Sequence, residues 1–140
     1  MTTGKAPDNG LERSVLSGTT TKQRGDAAEQ AALDYLVRQG LQLVQRNFHT
    51  PGRGGGEIDL IMREPDGTLV FIEVRHRAAS RHGGAAASVS HTKQRRLVFA
   101  ARHYLMRLRT VPDCRFDVVA LDGSIADGQI HWLRGAFGAD

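Results

Sequence analysis

Two short apolar runs, Glu57-Ile58-Asp59-Leu60-Ile61 and Leu69-Val70-Phe71-Ile72-Glu73-Val74-Arg75, carry acids among side chains that belong in a core. In extended backbone successive side chains point to opposite faces. Glu57, Asp59 and Ile61 therefore share one face of the first run, and Leu69, Phe71, Glu73, Arg75 and Arg77 share one face of the second. That second face begins apolar and ends charged, as expected of a strand running from a core to the rim of a cleft. Between the runs stands Pro65-Asp66-Gly67, a three-residue turn with glycine in the left-handed position, which pairs Glu64 with Thr68. Counting back from this turn sets Asp59 opposite Glu73 and Glu57 opposite Arg75. Carboxylates facing each other across a ladder repel. A divalent cation between them converts that repulsion into binding. The argument depends on the register, because a slip of one residue turns every side chain to the other face.

Glu29 offers a third carboxylate. Ala32, Leu33 and Leu36 follow it at helical spacing, and Gly25 precedes it by one turn, which puts it at or beside an inward stripe. Spacing alone favours a stripe-edge acid that reaches water or an arginine; facing inward, it needs a partner or a metal. Lys93, one turn before Leu97, poses the same choice on a second helix. Its stem lies along the core with its head in solvent, or its ammonium enters a cleft and meets phosphate.

The elements that must position these groups follow from periodicity and punctuation. Lys22 to Gln39 has helical spacing and is stopped by Gly40. Leu41 to Phe48 reads as a strand, His49 to Gly56 as a glycine-dominated loop, and Glu57 to Glu64 and Thr68 to Arg77 as a hairpin. Ala78 to Val89 is a small-residue loop, and Ser90 caps a helix over His91 to Leu108. Cys114 to Leu121 and Gln129 to Leu133 are strands, the latter followed by a tail. The order α-β-β-β-α-β-β predicts an α/β fold, a mixed central sheet flanked by two helices. Residues 1–21, rich in Thr, Ser, Gly and charge, read as a disordered tail, and 22–137 as one domain without internal repeats. Aromatic residues make up 6% of the chain, so the core should be aliphatic. No apolar run is long enough for a membrane span or signal sequence, and the single cysteine, Cys114, makes no internal disulfide. These features point to a soluble cytoplasmic protein, with Cys114 expected in the core.

Charge is unevenly spread. Arg75 to Arg115 holds ten Lys and Arg against one acid, Asp113, a net +9, while the remainder holds nine bases and fourteen acids, a net −5. Such a block is either a solvated helix face or a surface for a polyanion, nucleic acid being the common one. The six histidines lack zinc-site spacing, and the glycine-rich stretch lacks the Gly-Lys-Ser/Thr ending of a phosphate loop. Gly52 and Gly54 to Gly56 read as a plain turn, with close approach of a nucleic-acid backbone as the second reading. Trp132 reads as packing.

Gly25-x-x-x-Glu29, Gly56-Glu57-Ile58-Asp59-Leu60-Ile61 and Phe71-Ile72-Glu73-Val74-Arg75 together resemble the PD-(D/E)XK nuclease pattern. More narrowly, with Gly83 to Val89, Lys93-Gln94 and Cys114-Arg115-Phe116-Asp117-Val118-Val119, the chain is similar to the YraN family of bacterial proteins from about Lys22 to Phe137. The resemblance implies a restriction-endonuclease-like αβββαβ core and a Holliday-junction-resolvase-like superfamily. It implies Asp59 and Glu73 as ligands of Mg²⁺ or Mn²⁺, with the Val74 carbonyl beside them and Glu29 as an outer acid. Lys93 matches the polar residue on the helix after the motif. Arg75 departs from the pattern, which usually has lysine there; arginine stabilises phosphate charge but does not readily surrender a proton.

The activity so implied is metal-dependent hydrolysis of phosphodiester bonds, in DNA rather than RNA, with branched DNA among the candidates. Glu29, Asp59, Glu73 and Arg75 would form the catalytic set and Glu57 would orient Arg75. Lys93, Arg77, Arg95 and Arg96 would carry the nucleic-acid backbone. The alternative is a non-catalytic nucleic-acid-binding or repair-accessory module that keeps the fold. A homodimer is compatible with either.

Overall fold

Thr20 opens the first helix with a capping box. Its hydroxyl accepts the Gln23 amide hydrogen at 3.0 Å, and the Gln23 side-chain oxygen accepts the Thr20 amide hydrogen at 3.0 Å. This helix, α1, spans Thr21–Arg38. It ends in a Schellman motif: the Gly40 and Leu41 amides donate to Val37 O and Leu36 O, each at 3.0 Å. Gly40 has φ of 103°, which a side chain would oppose. The computed structural model describes residues 20–77 and 89–139. The expected tail at positions 1–19 and the expected small-residue loop at positions 78–88 thus lie outside the described residues, whereas Thr20 caps the helix and Thr21 begins it.

The remaining elements are β1 (Gln42–His49), β2 (Glu57–Arg63), β3 (Leu69–Arg77), α2 (His91–Leu105), β4 (Cys114–Asp122) and β5 (Gln129–Phe137). The five strands lie in sequence order in one sheet. β3 and β4 are parallel and every other neighbouring pair is antiparallel. A parallel pair needs a crossover, and α2 lies within it. This is an α/β fold consistent with the restriction-endonuclease-like αβββαβ arrangement. Among the described residues no helix is long and apolar enough to cross a membrane.

Strand alternation divides the core between the helices. Val70 and Ile72 of β3 pack with Ala32, Leu33 and Leu36 of α1, while Leu69 and Phe71 pack with Leu97, Ala101 and Tyr104 of α2. The helices therefore cover opposite faces of the sheet. β4, apolar on both sides, is buried from Phe116 to Asp122, as a central strand must be. The hairpin has the expected register: Glu64 N–H donates to Thr68 O at 2.9 Å, Gly67 has φ of 96°, and rungs run from Arg63–Leu69 to Leu60–Ile72.

Three expectations need correction. α2 stops at Leu105, and Leu108 follows in a turn where its amide donates to Leu105 O. β5 continues to Phe137 instead of giving way to a tail at Leu133. The ladder is interrupted between Phe116 and Val118, Gly135 takes φ of 58°, and pairing resumes at Phe137, whose ring stacks on Phe116. Cys114 is exposed, because it is the first residue of β4 and precedes the buried stretch. Trp132 does pack: its ring meets Tyr35 edge-on at 6.3 Å and its indole N–H donates to Asp117 at 2.9 Å.

Candidate functional site

Beyond the Leu60–Ile72 rung the backbone ladder between β2 and β3 ends, and a side chain takes over. Asp59 Oδ2 accepts the Val74 amide hydrogen at 2.7 Å. The charge of the same carboxyl group acts on that of Glu73, the next residue of β3 beyond the last rung. Glu29 reaches the pair from α1. The three acids line one cleft of about 350 Å³ together with Glu57, His76 and Lys93. Lys93 comes from the first turn of α2, where Ser90 Oγ accepts its amide hydrogen at 3.1 Å, and its Nζ lies 3.6 Å from Glu73 Oε2.

The electrostatics are those of crowded acids. Burial, then the charge of Asp59, pushes the Glu73 carboxyl up to about 8, against the opposing pull of Lys93. Burial also raises Asp59, while the Val74 amide and Glu73 hold it down. Sharing one proton between them relieves the pair. Burial and the Asp59 charge push Glu29 up to about 7, with Arg46 opposing. One Glu29 oxygen, Oε1, is buried without a hydrogen-bond partner. An orphaned acceptor of this kind asks for a proton, a water or a cation.

Oxygen donors alone suit a hard cation. Among the described residues no three His, Cys, Asp or Glu side chains close a ligand cage. Were an ion to bind, the Asp59 and Glu73 carboxylates, with Glu29 beside them, would be its donors. Such a set fits a cation that keeps much of its water, as Mg²⁺ does with one or two protein carboxylates.

The other expected site residues separate. Arg75 lines an adjoining opening with Glu73, Val74, Ser90 and Lys93, and its charge lowers the proton affinity of Glu73. Glu57 lines the acid cleft, and its Oε1 lies 3.3 Å from His49 Nδ1 across the β1–β2 ladder. Arg77 closes β3 opposite Asp122 of β4. Lys93 and Arg96 line a second cleft of about 400 Å³ with His49, Glu57 and the glycine loop. Arg95 lies in a different groove, with His91, Phe99 and Arg102. The four basic residues are therefore distributed over more than one surface.

The glycine loop is tied down by packing. A Cβ on Gly56 would strike the Arg96 carbonyl of α2, and one on Gly55 would strike the Thr50 side chain. Gly52 and Gly54, with φ of 84° and 69°, serve a turn with open space around them. Two residues near the acids escape sequence reasoning. His76 lines the acid cleft, its Nε2 2.9 Å from Gly123 O. Arg46 hydrogen-bonds to Gln30 at 2.9 Å, and its charge acts on Glu29. His76 follows Ile72 and Val74 in strand alternation, which signals the α1 side; no spacing in the sequence signals Arg46.

Residues 28–121 match the sequence pattern of the family described as Uncharacterised protein family UPF0102. A UPF0102 protein of Albidiferax ferrireducens is 68% identical over 120 residues, covering 86% of this chain and 91% of that one. One from Polaromonas naphthalenivorans is 61% identical over 125 residues, with 86% and 82% covered. Another, from Polaromonas sp. strain JS666, is 56% identical over 140 residues, with 96% and 93% covered.

Proposed function

The chain belongs to the UPF0102 family, and from the acid cleft it builds we propose that it is a metal-dependent endonuclease of the PD-(D/E)XK kind, hydrolysing phosphodiester bonds in DNA, branched DNA included. The observation that supports this reading is the convergence of Glu29, Asp59 and Glu73 in one cleft with Lys93 beside them. Acids with raised proton affinity close to a cation are a common sign of a working site. Asp59 and Glu73 would hold Mg²⁺ or Mn²⁺, with Glu29 in support. When bound, the ion supplies polarisation of the phosphate and activation of water.

The protein's own groups do the rest. Arg75 and Lys93, which line one opening with Glu73, offer positive charge to the phosphate oxygens as negative charge builds on them. A guanidinium does not readily surrender a proton, so the part of Arg75 is electrostatic. Glu29, with an unpartnered oxygen and a pKa near 7, is equipped to hold or pass a proton at the cleft.

The test is incubation of the purified chain with nicked, branched and single-stranded DNA, with and without Mn²⁺. Metal-dependent cleavage should vanish in Asp59→Asn. Calorimetry should give a heat of Mn²⁺ binding for wild type and none for Glu73→Gln. Cleavage that survives Asp59→Asn, or the lack of any metal heat in wild type, overturns the proposal. A second reading, a non-catalytic nucleic-acid-binding module, is favoured by arginine at position 75 and by the incomplete ligand cage. It predicts salt-sensitive DNA binding, indifferent to metal and without cleavage.

A further inference from the structure

The outer side of α2 carries an aromatic ring where a helix of this kind would ordinarily present polar groups. The core stripe of α2 runs through Leu97, Ala101 and Tyr104, and Phe99 falls outside it, 45% exposed. Its ring centroid is 4.6 Å from that of His103 at a tilt of 56°. Beside it lies a groove of about 460 Å³ lined by His91, Arg95, Val98, Phe99 and Arg102, with no Asp or Glu among the described lining residues. A scattered exposed apolar residue is ordinary. Here the ring lines a groove with two guanidinium groups, on the helix that also supplies Lys93 to the acid cleft.

We propose that this groove binds an unpaired segment of nucleic acid, with a base stacked on Phe99 and the adjoining phosphates on Arg95 and Arg102. Every base offers a π-face to an aromatic ring, and guanidinium groups suit phosphate. A duplex, whose bases are stacked inside, would leave Phe99 unused. The inference rests on the nucleic-acid reading of the acid cleft and narrows its substrate to one with a single-stranded arm. Phe99 lies six residues beyond Lys93, on the order of 9 Å along the helix axis and about a third of a turn around it. A strand leaving the acid cleft would cross α2 to reach it.

The experiment titrates the full chain, without metal, with a short oligothymidylate, its oligouridylate counterpart and a blunt duplex. Phe99→Ala should weaken single-strand binding about tenfold or more, and duplex binding less than about twofold. Phe99→Leu, which keeps apolar bulk without a π-face, should show the same selective loss, and Phe99→Tyr should not. Joint replacement of Arg95 and Arg102 by Gln should lower the salt slope of single-strand binding by about 1.4. The loss supports the groove on either polymer, and the polymer with the larger loss identifies the ligand. Equal losses on single strand and duplex, full affinity in Phe99→Leu, or conversion of a dimer to a monomer with unchanged DNA affinity overturns the proposal. Selective loss in Phe99→Ala without cleavage by wild type leaves this inference standing and sinks the nuclease reading. Cleavage that depends on Asp59 beside unaltered binding in Phe99→Ala does the reverse.

Discussion

Asp59 Oδ2 accepts the amide hydrogen of Val74 at 2.7 Å, one residue past the last backbone rung between β2 and β3. The acid thus ends the ladder as well as facing Glu73, and its two tasks can be separated. Asn at position 59 keeps an oxygen for Val74 but loses the charge that repels Glu73 and Glu29. Asp59→Asn should leave the melting temperature of metal-free protein at about pH 8 unchanged or raised, while metal-dependent cleavage falls at least about 10²-fold. Thermal melts beside a cleavage assay check this. A variant that loses stability and activity together would make Asp59 a purely structural strand terminator.

The raised pKa values of Glu29 and Glu73, about 7 and about 8, have a definite sign in stability. In the unfolded chain both groups titrate near the ordinary glutamate value of 4.5. Between that value and the folded one, the native state binds protons that the unfolded state has released, so stability falls as pH rises. Their contribution is fully present below the unfolded pKa and is lost as pH rises through the folded one. In EDTA the wild type should therefore melt at a progressively lower temperature from about pH 5 to about pH 8.5. A Glu29→Gln/Glu73→Gln variant should have a flatter profile, which subtracts the titration of every other group. Mg²⁺ or Mn²⁺ should raise the wild-type melt most at the alkaline end. Parallel profiles for the two proteins would remove the premise that these acids are crowded.

Much of this pairing is legible in the sequence, because Pro65-Asp66-Gly67 fixes a register and the register sets Asp59 against Glu73. The environment of Glu29 is not legible. Helical spacing leaves it at the edge of a stripe, and its inward position depends on where β2 and β3 part and how α1 lies over that opening. Composition gives the total charge of α2 but does not divide it. The groove lining sets Lys93 and Arg96 apart from Arg95, a matter of what packs beside each turn. The length of β5 is hidden by Gly135, whose positive φ breaks the period on which strand reading depends.

Gly56 couples the glycine loop to the site through packing. Its missing side chain lets β2 meet the Arg96 carbonyl of α2, the helix that carries Lys93. Gly56→Ala must push that helix turn away or distort the start of β2, at a cost of about 1–3 kcal/mol. The prediction is a lowered melting temperature together with a cleavage loss at least as large as that of Lys93→Ala. Gly55→Ala should destabilise through Thr50. Gly54→Asn, at a positive φ with open space around it, should cost less than about 1 kcal/mol. Equal tolerance at positions 54 and 56 would show that the loop does not set the helix position.

Asp117 tests whether the fold can be weakened without touching the acids of the cleft. Its buried carboxylate accepts Arg115 Nε–H at 2.8 Å and Nη2–H at 2.9 Å, the Trp132 indole N–H at 2.9 Å and the Gly135 amide at 2.9 Å. Arg115 also pairs with Glu64 at the hairpin turn, so one acid ties β5 and the β2–β3 turn to β4. Asparagine has a single acceptor oxygen, and its amide hydrogens would confront donors. Asp117→Asn should cost about 3 kcal/mol or more, because it leaves a half-buried guanidinium and part-buried N–H groups short of acceptors. That corresponds to a melting temperature lower by on the order of 10 °C. Trp132→Phe removes one donor and should cost less. Well below its melting temperature Asp117→Asn should still give the wild-type heat of Mn²⁺ binding, since Glu29, Asp59 and Glu73 are unchanged. Loss of that heat in a protein still folded by circular dichroism would mean that the β4–β5 bulge, and not only the β2–β3 opening, holds the acids in place.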